Sequence, residues 1–167
     1  MIFTAHADGT LTWNQHSVRA ALGKGGLITE CNKREGDERS PAGIYPIRYV
    51  FYRPDRVDAP ETALSVVALA PDDGWCDDPQ SADYNRHVKL PFRGSHEVLW
   101  RDDHVYDLVV VLGHNDAPPV AGMGSAIFMH LARDGYPGTE GCVALAMSDL
   151  LAVLKTAKPG DSVEIRE

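Results

Sequence analysis

Residues 125–145 read SAIFMHLARDGYPGTEGCVAL, a short apolar run ending in His130 and then a glycine- and proline-bearing loop ending in Gly141-Cys142. Ala126 to Leu131 predicts a strand, which would project His130 from a rigid element. Asp134-Gly135, Pro137-Gly138 and Gly141 punctuate the stretch that follows, so it should fold back as a loop and bring Cys142 toward the histidine. At a reference pKa near 8.5 a thiol is only roughly 3% ionised at pH 7, so a working cysteine needs a neighbour that stabilises its anion. An imidazole can be that neighbour. Gly141 leaves the flank of the thiol bare, which would let a carbonyl approach both the sulfur and the backbone N–H groups that hold an oxyanion.

A second segment lies upstream. Gly36-Asp37-Glu38-Arg39-Ser40-Pro41-Ala42-Gly43-Ile44-Tyr45-Pro46-Ile47 carries a Gly-Asp pair followed by Ser-Pro-Ala-Gly-Ile-Tyr. With His130 and Thr139-Glu140-Gly141-Cys142-Val143 behind it, the chain resembles the L,D-transpeptidase catalytic domain, the YkuD-type family of peptidoglycan enzymes, over nearly its whole length. The resemblance implies one catalytic domain over residues 1–167 and a mainly β, β-sandwich-like fold with a few short helices. It also implies Cys142 as nucleophile, His130 as base and Gly141 beside the oxyanion. Two positions depart from the family pattern. Glu140 stands where a small residue or histidine is common, and Ala144 stands where many members carry an arginine.

Composition narrows the partners. A formal charge of −8 without a basic stripe argues against nucleic acid. Cys31, Cys76 and Cys142 cannot all pair, and their spacing is not that of a zinc site, so neither a metal nor a cofactor is expected. The N-terminus has no basic segment followed by an apolar one, and no run approaches a membrane span. As written, the sequence predicts a cytoplasmic protein without a membrane partner; if an export signal has been removed, the compartment becomes the periplasm or cell wall. Oligomeric state is not legible.

Elsewhere, residues 2–5 and 10–13 flank Ala7-Asp8-Gly9 as a hairpin, and 16–22 adds a strand. Ser40 to Gly43 reads as a turn and Ile44 to Phe51 as a strand, with Pro46 favouring an edge or a bulge. Leu64 to Leu69 reads as a strand buried on both faces, and Val105 to Gly113 as the longest core strand. Directly after the cysteine, Ser148 predicts the N-cap of a helix bearing Leu150, Leu151, Val153 and Leu154, stopped by Pro159-Gly160. Asp161 to Arg166 predicts a last strand.

The polar stretch 71–90 interleaves Trp75, Tyr84, Asn85 and Arg86 with aspartates, the chemistry of a peptide groove, and these four with Thr139 and His114 are the expected substrate contacts. His114 could instead cap a strand end. Cys76, among four carboxylates, is a blunted rival nucleophile. The activity that the resemblance implies is cysteine-dependent acyl transfer: cleavage of an L,D-amide of a peptidoglycan stem peptide or muropeptide through a Cys142 thioester. The acceptor would be a second stem amine (transpeptidase) or water (carboxypeptidase), water being favoured in a cytoplasmic protein. The alternative is a non-catalytic muropeptide-binding module on the same fold.

Overall fold

The computed structural model describes all 167 residues. In chain order it has β1 (Ile2–His6), β2 (Thr10–Trp13), β3 (His16–Ala21), β4 (Leu27–Thr29), a 3₁₀ turn (Glu30–Asn32), β5 (Ser40–Tyr52) and β6 (Val66–Ala68). There follow β7 (Asp73–Cys76), β8 (His87–Lys89), β9 (His96–Val98), β10 (Leu108–Leu112), β11 (Phe128–Leu131), β12 (Val143–Leu145), α1 (Met147–Thr156) and β13 (Ser162–Arg166).

The expected hairpin forms: Asp8 Oδ1 accepts from the Thr10 amide at 3.0 Å and its hydroxyl at 2.7 Å, and Gly9 takes φ +85°. From there the pairing order runs β10-β11-β12-β3-β2-β1-β13-β5, and β5 pairs with β10 again, so the sandwich closes on itself. Strand β5 makes the closure possible. Its Gly43–Pro46 portion pairs with β13 and its Ile47–Tyr52 portion with β10, so one long strand serves both sheets and leaves few open edges. The ladder slips between Val111 and Leu112, leaving Arg48 as the extra residue two places beyond Pro46, near where the proline predicts a bulge.

Two cores share the β10 strand. Leu108, Val110 and Leu112 point into the closed sandwich with Phe3, Leu11, Tyr45 and Met129, while Val109 and Val111 point outward to a second cluster with Phe51, Trp75, Leu99 and Phe128. Both faces are covered, which is why the run Leu108–Leu112 is apolar without alternation. The cover on the outer face comes from the three-stranded sheet β8-β7-β9. Helix α1 inserts Leu150, Val153 and Leu154 into the inner core, each worth roughly 2 kcal/mol of burial.

Four expectations change. The longest strand is not Val105–Gly113, of which only Leu108–Leu112 forms a strand, but β5 with its 13 residues. Ser40–Gly43 is not a turn but the first part of β5, because β4 pairs with it in parallel and β13 takes the other side. The Leu64–Leu69 run yields only the short strand β6, partly exposed, because it lies outside the closed circuit and pairs with β5 alone. Ser148 does not cap α1. The N-cap is Ala146, with no side-chain capping bond, and burial of the apolar stripe holds the helix in place of a cap.

Candidate active site

The period of β11 sets the site. Ile127, Met129 and Leu131 face the inner core, so Phe128 and His130 face outward beneath the three-stranded sheet. Strand β12 runs parallel to β11 with Met129 opposite Val143, which places Cys142 at the entrance of β12 beside Phe128. The Phe128 amide donates to the Cys142 sulfur at 3.4 Å, and the thiol donates to the Ala126 carbonyl at 3.2 Å. Cys142 and His130 are each 8% exposed and line the same cleft, of about 620 Å³. No hydrogen bond joins them.

Charge states follow from burial. Loss of water pushes the Cys142 thiol up to about 12; the nearby Glu97 and Glu140 add to the rise, while the Phe128 amide and Lys33 oppose it. Burial likewise takes His130 down to about 4, with Arg101 and Arg133 adding to the fall against the opposing Leu131 hydrogen bond and Asp103. The resting pair is therefore neutral thiol and neutral imidazole. His130 Nδ1 lies 3.0 Å from the Leu131 carbonyl, which can only accept, so Nδ1 carries the hydrogen and Nε2 keeps its lone pair. The group that orients the imidazole is thus a backbone oxygen, invisible to any residue motif.

The loop before Cys142 is pinned from several sides. Thr139 Oγ1 donates to the Cys142 carbonyl at 2.6 Å and accepts from the Gly141 amide at 3.1 Å, and Thr139 backbone groups bond Leu22 and Lys24. Ser40, fully buried, accepts from the Gly23 amide and donates to the Gly141 carbonyl at 2.7 Å. This bond ties the upstream Gly36–Ile47 segment to the cysteine loop across about a hundred residues of chain, a connection that residue identity at Ser40 does not announce. Gly141 sits at φ +134°, and a Cβ there would meet the Arg39 carbonyl at 2.9 Å. Its bare flank makes room for the protein's own backbone, not for substrate. The Gly141 N–H is also engaged by Thr139, whereas the Cys142 N–H makes no bond within the protein and is the amide free to meet an oxyanion.

Of the expected substrate contacts, Thr139 lines the cleft but spends its hydroxyl on the loop. Trp75, Tyr84, Asn85 and His114 are buried and do not line it. The Trp75 ring packs edge-on against Phe128 at 5.0 Å, and its Nε1 donates to Asn85 Oδ1 at 2.9 Å. Tyr84 donates its hydroxyl to Glu35. His114 bonds the Met123 carbonyl through Nε2 at 3.2 Å. Arg86 is exposed and lies outside the cleft. The reading of Trp75, Tyr84 and Asn85 as a groove is corrected: their polar groups pair within the protein under the three-stranded sheet that covers the outer core, and of the stretch 71–90 it is Asp77 that lines the cleft. Cys76 is wholly buried, and Cys31 is exposed on the 3₁₀ turn.

Asn85 has the largest structural role among these. Its Nδ2 donates to the His114 and Asn115 carbonyls at 3.0 and 2.8 Å, and its Oδ1 accepts from Trp75 and from the Ala126 amide. Ala126 in turn holds the thiol, so the carboxamide sits one residue behind the sulfur. Asn85→Asp replaces the donor pair with an oxygen facing two buried carbonyls. We expect it to lower unfolding free energy by about 4 kcal/mol at pH 7, as measured by urea denaturation.

A closed β-sandwich with a thiol and an imidazole in one cleft beside the first strand after a glycine loop defines a class of cysteine-bearing β domain. The chain belongs to the L,D-transpeptidase catalytic domain (YkuD) family, which it matches over residues 2–165. Among solved structures it is similar to L,D-transpeptidase 1 of Mycobacterium tuberculosis (12% identity, TM-score 0.43, 99% of this chain and 61% of that one). It is also similar to an L,D-transpeptidase from Mycobacterium smegmatis (11%, 0.44, 99% and 58%). A third is L,D-transpeptidase 3 of M. tuberculosis bearing a faropenem-derived adduct (14%, 0.46, 99% and 60%). The chain spans about three fifths of the length of these proteins. No significant match is found among curated proteins.

Proposed function

We propose that residues 1–167 act as a single catalytic domain that carries out cysteine-dependent acyl transfer on peptidoglycan stem peptides, with Cys142 as nucleophile and His130 as its base. The observation that carries this reading is the shared cleft: a thiol anchored by Phe128 and Ala126 and an imidazole with a free Nε2 fixed by the Leu131 carbonyl. As the sulfur attacks the amide carbonyl at an L,D-junction, His130 Nε2 takes the thiol proton and the Cys142 N–H meets the oxyanion, a donor worth roughly 3 kcal/mol. His130 then returns the proton to the departing amine, the D-residue leaves and a thioester remains. An acceptor amine or water attacks the thioester, again losing its proton to His130, and the thiol re-forms.

Both acceptors use the same first half-reaction. Water is the acceptor proposed for a cytoplasmic protein, and a second stem amine for one that works in the periplasm or cell wall; no helix is long and apolar enough to cross a membrane. D-alanine release from a stem tetrapeptide, followed with and without an added stem amine, tests both. Release at an unchanged rate without cross-linked product identifies the carboxypeptidase, cross-linked product the transpeptidase, and no release in either case overturns the reading.

A further inference from the structure

The cleft has four cationic side chains, and two are already spent: Lys24 pairs with Glu38 at 2.7 Å, and the buried Lys33 with Asp37 and the Arg34 carbonyl. The other two, Arg101 and Arg133, share one carboxylate. Arg101 places Nε on Asp103 Oδ1 and Nη2 on Oδ2, both at 2.7 Å, and Arg133 Nη2 reaches Oδ2 at 2.9 Å. Two guanidiniums on one carboxylate leave a net positive charge. Arg101 is held on its other side as well, with Cζ 5.1 Å from the centre of the Tyr106 ring. That ring stands 5.4 Å from the His130 ring and is itself fixed by a 2.7 Å bond from its hydroxyl to Glu97. Arg101 Nη1 has no partner in the protein. Ala144, on the floor of the cleft, offers only a methyl group.

We propose that Arg101, braced by Asp103 and Tyr106, binds the terminal carboxylate of the D-residue that leaves, and so makes the site select peptides that end at that residue. This rests on the acyl-transfer reading above. The departing amine must sit at His130 to receive its proton, and its α-carboxylate is attached one carbon away. The carboxylate therefore falls on the imidazole side of the cleft, which is the Arg101 side. Both groups stand against the Tyr106 ring, Arg101 Cζ at 5.1 Å and the His130 ring at 5.4 Å from its centre, and the Arg101 charge is near enough to disfavour the imidazolium. A guanidinium already held in plane by a carboxylate fork loses little freedom when it takes a second carboxylate.

The test uses the Cys142→Ala protein, which binds without reacting. Calorimetric titration compares a stem tetrapeptide ending in D-alanine with the same peptide ending in D-alaninamide. The acid is expected to bind at least about tenfold more tightly than the amide. Adding Arg101→Gln should erase the preference by weakening the acid alone, while Arg101→Lys, which keeps the charge and guards against a folding defect, should retain part of it. An equal affinity for both peptides in the Cys142→Ala protein, or a preference that survives Arg101→Gln, overturns the inference. Wild-type D-alanine release separates the two levels: release without a carboxylate preference sinks only the role of Arg101, whereas no release together with no binding sinks the function on which it rests.

Discussion

Cys142→Ala is expected to abolish D-alanine release, lowering kcat/KM by about 10⁴-fold or more, while leaving the protein folded. The thiol is the only group in the cleft that can form the thioester, and removing it leaves no second thiol there, since Cys76 is sealed in the outer cluster and Cys31 lies on a separate turn. The stability cost should be small, about 1 kcal/mol, because a single sulfur is lost and only the Phe128 amide and Ala126 carbonyl change partners. A non-catalytic binding module predicts instead that the substitution leaves the cellular role intact. Alkylation offers a separate check on the resting state. With the thiol pushed up to about 12, the free protein should react with iodoacetamide more slowly than free cysteine at pH 7 and accelerate only as the pH climbs well past 9. A rate above that of free cysteine at neutral pH would show a preformed ion pair and contradict the neutral couple described here.

His130→Gln should lower kcat/KM by roughly 10²- to 10⁴-fold, the usual worth of a positioned base. It should also change the acid stability of the protein in a direction set by burial. The folded-state imidazole lies at about 4 against an ordinary 6.5, so between those values the unfolded chain holds a proton that the native protein does not. The stabilisation is complete above pH 6.5 and is lost as the pH falls toward 4. The shift corresponds to about 3 kcal/mol. Urea unfolding of the wild type at pH 7 and pH 4.5 should show most of this loss, and the His130→Gln protein should lack that part of the decline. An equal decline in both proteins would mean that the imidazole is hydrated and not held neutral by its surroundings.

Much of the frame was legible before folding. The alternation of residues 2–13 around Asp8-Gly9 predicts the first hairpin, and the stretch behind Cys142 predicts the helix that follows it, because both depend on local periodicity and turn chemistry. Trp75, Tyr84 and Asn85 misled for a physical reason. Aromatic rings interleaved with amides suit a ligand groove and a buried hydrogen-bonded brace equally well, and only the sheet β8-β7-β9, set over Phe128, assigns them to the brace. Gly141 was expected to leave the flank of the thiol bare for a substrate carbonyl, yet what lies against that flank is the Arg39 carbonyl, about a hundred residues away in sequence.

By itself the sequence determined the family and the mainly β fold, because ordered motifs and period-two apolar runs are written along the chain. Tertiary structure alone decided the rest: Ser40 under Gly141, Leu131 behind His130, Asn85 behind Ala126, and Arg101 and His130 against the same Tyr106 ring. Apart from the Leu131 carbonyl, these partners are far apart in the chain, and every one depends on a backbone group or a ring face that residue identity does not specify. Their charge states depend on water being excluded, and that exclusion exists only once the strands have closed around them.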